Sequence, residues 1–183
     1  MIIIKNLIRQ FGGQNWQKGF TLVELLTVVG ILGILAAAAI TVLNPLEQFK
    51  KANDSQRKSN LSQIQKALET YYQDNNRYPA TTGNPYYHMQ HYANPWTLFS
   101  WGTSWSPYMN VVPDDPKPNY GYVYWASADG QTYYIYASLE RGSKDPQACN
   151  GGSACTSLSG NGISATACGA TCNYGVSTPN VSP

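Results

Sequence analysis

Residues 20–43, FTLVELLTVVGILGILAAAAITVL, carry one charge, Glu24, in 24 positions. As a helix this run would be about 36 Å long, enough to cross a hydrocarbon layer of about 30 Å. It belongs in a bilayer, and a chain of 183 residues leaves room for one globular unit beside it. Lys5, Arg9 and Lys18 precede Phe20 with no acidic residue among them. The positive-inside rule therefore keeps the N-terminus in the cytoplasm and sends everything after Leu43 outward.

Glu24 is the anomaly. A charge within a bilayer helix costs about 2.5–3.5 kcal/mol on insertion scales. An ordinary secretory signal, with Ala36 and Ala38 as the small residues before a cleavage point, gives no reason for it. Neither does a plain anchor, so the carboxylate needs a partner. Composition narrows the remaining choices. Charged residues are 12% of the chain and aromatics 13%, which suits neither an acidic disordered chain nor a basic nucleic-acid binder. Beyond Phe20, nine basic residues face ten acidic ones. The near-zero balance argues against strong electrostatic capture of DNA.

Lys18-Gly19 followed by Phe20-Thr21-Leu22-Val23-Glu24-Leu25-Leu26 resembles the class III signal of type IV prepilins and of type II secretion pseudopilins. The resemblance implies that a prepilin peptidase removes residues 1–19 by cutting between Gly19 and Phe20. It also implies N-methylation of the new Phe20 amine and retention of the apolar helix in the mature protein. In a polymer, that amine can neutralise Glu24 of an adjacent subunit. Two unit charges 4 Å apart attract by about 4 kcal/mol at an effective dielectric of 20, which offsets the cost of burying the acid. Glu24 would then act as a register device.

Asn44-Pro45 should interrupt the helix, since proline lacks the backbone donor and clashes with the preceding turn. Residues 44–78 read as the rest of a long stem. From Lys50 to Asn60 only Ala52 is apolar, so this piece is expected to be solvated or to face polar partners, with Lys50, Lys51, Arg57 and Lys58 open to acidic lipid or a neighbouring subunit. Leu61, Ile64, Leu68 and Tyr71 recur at helical spacing and make a face for a globular head. Asn75-Asn76 and Pro79 end the helix. Tyr72 through Pro79 is similar to the end of the stem in major pseudopilins.

The head spans residues 79–183. Residues 80–118 are proline-rich and aperiodic, an irregular connection with one short helix expected around Trp96–Trp101, and Trp96, Trp101 and Trp105 are expected to cap the core or make a subunit contact, rather than to form a carbohydrate-facing surface. His88 and His91 lack a third metal ligand and read as surface residues. Residues 119–140 form a β-hairpin turning at Asp129-Gly130, with Val123 and Trp125 expected to face the stem beside Tyr133, Ile135, Ala137 and Leu139. Val112 through Pro116 is similar to the proline-aspartate segment ahead of the pseudopilin sheet. The fold class is therefore α+β: a long N-terminal helix on a small antiparallel sheet, pilin-like.

Residues 141–183 hold little to bury and carry Cys149, Cys155, Cys168 and Cys172. On the oxidising side of a membrane, two disulfides are expected, with three pairings open. The spacing C-x5-C-x12-C-x3-C is a poor match for structural zinc. The resemblance raises calcium, which some major pseudopilins hold in C-terminal loops. Asp114 and Asp115, with Asp129 and Asp145, offer oxygen ligands, but in no calcium-loop spacing. No other cofactor is expected. No nucleophile, base and orienting group assemble from two histidines and scattered serines, so no catalysis is expected.

The sequence thus points to a structural subunit of a type IV pilus-like filament outside the cytoplasm. It would form a homo-oligomer after peptidase processing and meet an inner-membrane assembly platform. Two further settings stay open: a major pseudopilin of type II secretion, and a minor pilin acting as adhesin or DNA-uptake subunit.

Overall fold

Thr21 opens the first helix because its hydroxyl and extended backbone (φ −81°, ψ 149°) satisfy amides that a helix start leaves free. The computed structural model describes residues 19–82, 88–90, 98–179 and 181–183. The leader before Gly19, His91 and Trp96 lie outside these. Helix α1 runs Leu22–Leu43 and ends at Asn44, whose left-handed backbone (φ 40°, ψ 70°) stops it. Pro45 opens α2, Pro45–Asn75, a position that suits a residue with a fixed φ and no N–H to satisfy. At Pro45 the chain divides into two units, one holding α1 and the other everything after it.

In the first unit α1 is exposed along its described length. Among the described residues one helical segment is long and apolar enough to cross a membrane, Leu22–Ile40, with a mean hydropathy of 2.4 and none of it buried. Exposure of this kind is what a helix leaves when its partner is lipid or another apolar helix.

The second unit is built on the face of α2 that buries Leu61, Ile64, Ala67, Leu68 and Tyr71. Against it lies an antiparallel sheet in the order β4 (Val123–Ala126), β5 (Tyr133–Ala137), β6 (Tyr174–Ser177). A second small antiparallel sheet joins β1 (Ala80–Thr81), β2 (Met89–Gln90) and β3 (Leu98–Phe99). The architecture is α+β and pilin-like. β3 replaces the short helix expected here, because pairing with β2 sets Met89 opposite Phe99 and buries both. Trp105 is buried, stacked on Phe99 at 5.1 Å and near Tyr71 at 5.7 Å, while half-buried Trp101 meets Tyr122 edge-on. Both cap the core.

The hairpin forms, but its facing differs from the expectation. Tyr124 pairs with Ile135, so the residues sharing the stem side are Tyr122, Tyr124, Tyr133, Ile135 and Ala137. Val123 and Trp125 point the other way, where Val123 and Tyr136 pack on Cys155, Leu158, Ile163, Cys168 and Cys172. A one-residue slip in register exchanges the two faces of a strand. Here both faces are covered, so alternation in β4 carried no contrast to read. The turn is also longer than two residues: Ser127 donates its amide to the Thr132 carbonyl, and Gly130 (φ 69°) closes an inner turn onto Ser127. Strand β6 lies in the tail that composition marked as having little to bury.

Candidate functional site

The N-terminal junction comes first. Gly19 and Phe20 precede the helix, are not helical and are exposed, Phe20 at 79%. Thr21 and Glu24 then close on each other as a capping box. The Glu24 amide donates to Thr21 Oγ1 at 3.2 Å, while the Thr21 amide and hydroxyl donate to Glu24 Oε2 at 3.0 and 2.7 Å. The carboxylate also stands in the first turn, where the helix dipole favours negative charge. Among the described residues Oε1 of Glu24 accepts no hydrogen bond. The acid therefore has a partner within its own chain and one oxygen left for a second.

The middle of α2 holds a second polar constellation: of the two expectations for this piece, solvation or polar partners, Asp54, Arg57 and Asn60 follow the second, while the simple solvated surface is corrected for them. Arg57 is fully buried, Asp54 and Asn60 nearly so. Arg57 grips Asp115 with two parallel bonds, Nε–Oδ2 at 2.8 Å and Nη2–Oδ1 at 2.9 Å. Its Nη1 donates to Asp54 at 2.9 Å and to Glu140 at 3.2 Å. Burial pulls the guanidinium's pKa down, but hydrogen bonds and charge from Asp115 and further bonds from Glu140 and Asp54 outweigh it, and the net direction is up. Asp54 also accepts the backbone amides of Glu140 and Arg141 at 2.8 and 2.9 Å. Lys58 turns to Asp145 at 2.6 Å. One turn of α2 thus clamps the segment before the sheet and the loop after β5, a geometry that burial of charge requires.

The calcium candidates are engaged in this framework. Both oxygens of Asp115 face Arg57, and Oδ1 of Asp114 accepts the Asp115 amide at 2.8 Å. Asp129 holds its own turn through Ser127 and the Gln131 amide, and Asp145 holds Lys58. Among the described residues no group of three or more His, Cys, Asp or Glu could hold a metal ion. His88 is half-buried with its ring 5.9 Å from Trp101, so it packs into the fold rather than lying on the surface. The cysteines pair locally, Cys149 with Cys155 and Cys168 with Cys172.

A family model for the prokaryotic N-terminal methylation motif matches residues 17–40, across the junction and most of α1. The type II secretion system core protein G of Pseudomonas aeruginosa is 33% identical over 129 residues, covering 63% of this chain and 86% of that protein. The chain belongs to the type IV pilin and type II secretion pseudopilin family. Members of this family are structural subunits. The core protein G of Aeromonas hydrophila is 43% identical over 65 residues, 36% of this chain and 44% of that relative. The type IV major pilin protein PilA of Myxococcus xanthus is 37% identical over 71 residues, 39% of this chain and 30% of that pilin. The chain spans less than half the length of the first pseudopilins it matches. No solved structure matches it.

Two functional groupings escaped the reading from sequence. Thr21 went unassigned although Thr-x-x-Glu ahead of an apolar run is a capping-box pattern. The Arg57 clamp left a weaker trace, the Asp54–Arg57 spacing of three, because Asp115 and Glu140 are remote in the chain.

Proposed function

We propose that this chain is a filament subunit made as a single-pass membrane precursor, cleaved between Gly19 and Phe20, methylated on Phe20 and polymerised through α1. Its N-terminus would be cytoplasmic and its head outside. A prepilin peptidase and an inner-membrane assembly platform are the partners this reading requires. The observation that carries it is the junction: an exposed, non-helical Gly19-Phe20 leads directly into an apolar helix, exposed along its described length, whose first turn holds Glu24.

The capping box refines the role of Glu24. A subunit alone in the membrane already satisfies one carboxylate oxygen through Thr21, which lowers the burial cost of about 2.5–3.5 kcal/mol. Docking adds a neighbour's Phe20 amine at Oε1, about 4 kcal/mol at 4 Å and an effective dielectric of 20. The acid then favours one axial register over others without making the free subunit unstable.

Mass spectrometry of the assembled or exported protein tests this. The expected first residue is Phe20 carrying one methyl group. A terminus within or beyond Ala36–Ala39 would remove the junction from the mature protein and overturn the proposal. A secretion pseudopilus is the second reading, favoured by an alignment that covers 86% of a type II secretion core protein G. Deleting the gene separates the settings: loss of surface filaments supports a pilus, and retention of exported proteins in the cells with surface filaments unchanged supports a secretion pseudopilus.

A further inference from the structure

The first turns of α2 leave two large apolar side chains uncovered, Leu46 at 70% and Phe49 at 69% exposure, one helical turn apart. Basic groups surround them. Lys50, Arg141 and Lys144 converge on the one carboxylate of Glu47 at 3.3, 3.4 and 3.3 Å, and exposed Lys51 makes no ion pair among the described residues. The other nearby acids face inward: Asp54 and Glu140 on Arg57, Asp145 on Lys58. The patch therefore combines exposed hydrocarbon with excess positive charge, the composition of a surface that enters an anionic lipid interface.

Its position along the chain fits the same partner. Leu46 stands three residues beyond the end of α1 and Phe49 six. The 22 residues of α1 measure about 33 Å against a hydrocarbon layer of about 30 Å. A span that ends at Leu43 therefore leaves both side chains only a few residues of chain from the outer headgroup layer.

We propose that this turn of α2 seats the membrane-resident subunit on anionic phospholipid. Leu46 and Phe49 enter the boundary between headgroups and acyl chains, and Lys50, Lys51 and Lys144 meet lipid phosphates. The contact holds the head at the membrane until polymerisation withdraws the subunit. The inference rests on the reading of α1 as the membrane anchor.

The test uses the full-length oxidised chain, in which no native cysteine is free, with a nitroxide attached through Ala52→Cys, one turn beyond Phe49. Labels at Ser62→Cys and Val29→Cys are the aqueous and hydrocarbon references. Each protein is reconstituted in phosphatidylcholine alone and with phosphatidylglycerol, and collisions with a water-soluble nickel chelate and with oxygen are measured. The Ala52 label should be several-fold less accessible to nickel than the Ser62 label when phosphatidylglycerol is present. Lys50→Glu with Lys51→Glu should abolish that lipid dependence, and Phe49→Ser should return the label to water. A deep Val29 label with Ala52 as accessible as Ser62 in both lipids overturns the docking surface and leaves the anchor standing. A water-exposed Val29 label overturns the anchor reading itself. Protection that follows protein density rather than phosphatidylglycerol assigns the patch to a second subunit, and it too overturns the proposal.

Discussion

Replacing Asp115 by alanine should unfold the head far more readily than the loss of one surface ion pair would. Asp115 supplies two of the charge-assisted bonds on a guanidinium that has no exposure to water, at 2.8 and 2.9 Å. Removing it leaves Nε and Nη2 of Arg57 buried with nothing to donate to, while Nη1 keeps Asp54 and Glu140. Breaking a buried pair by deleting one partner costs about 3–5 kcal/mol. At about 2–4 °C per kcal/mol for a unit of this size, the melting temperature should fall by roughly 6–20 °C. The measurement is near-ultraviolet circular dichroism of the mature chain in detergent, which follows the buried tyrosines and Trp105 rather than α1. Arg57→Met combined with Asp115→Ala should be milder than Asp115→Ala alone, because no unpaired guanidinium remains. Glu140 keeps Lys117 and Asn53, and Asp54 keeps its backbone donors. High salt should leave the difference intact, since buried pairs are screened little. A loss below about 1 kcal/mol for Asp115→Ala, the range of exposed pairs, would refute the reasoning, as would a double variant weaker than the single one.

Glu24→Val should leave membrane insertion and removal of the leader unchanged while abolishing polymerisation, read by shearing and immunoblotting; normal filaments from this variant would sink the register role. Serine in place of Cys149 and Cys155, or of Cys168 and Cys172, should each cost about 2 kcal/mol, the chain-entropy value for closing loops this short, measured by urea unfolding. The pH dependence of stability follows from two acids. Burial pushes Glu140 up, but bonds from Asn53, Lys117 and Arg57 outweigh it and hold it below 4.5; burial likewise raises Asp145, but Lys58 outweighs it and holds it below 3.8. Depressed native values contribute stability that is complete above the ordinary values and is lost as pH falls through the native ones. Thermal scans should therefore be flat above about pH 5 and decline below about pH 4.5, with a shallower decline in Lys58→Ala.

Legibility differed between the parts of the molecule for physical reasons. The stop at Asn44-Pro45 was legible because it is local: a residue without an amide acts on its own neighbourhood whatever surrounds it. The Thr21–Glu24 cap is equally local, and its Thr-x-x-Glu pattern was there to be read. The apolar stripe from Leu61 to Tyr71 was legible because one side of α2 meets water there and the other meets the sheet. The facing of β4 was not, because Val123 packs against the disulfide-bonded tail while Tyr122 and Tyr124 pack against α2. With both sides covered, alternation records no boundary with water. Strand β6 was missed for a related reason. Tyr174–Ser177 is too short and too polar to announce itself, and it becomes a strand because β5 offers it a free edge.

The sequence by itself determined the membrane-length helix, its acid, the Gly19-Phe20 motif ahead of it and the stop at Asn44-Pro45. Each follows from properties that a stretch of chain possesses alone: apolar length, a fixed charge, the missing amide of proline. Only the tertiary structure decided which charges of α2 meet water and which lie in the core. Lys51 stays exposed and Arg57 disappears, although both are basic residues in one polar run, because acids at positions 115 and 140 arrive at Arg57 and, among the described residues, none arrives at Lys51. A buried charge is tolerated only where its counter-charges converge, and that convergence belongs to the fold, not to any segment of the chain.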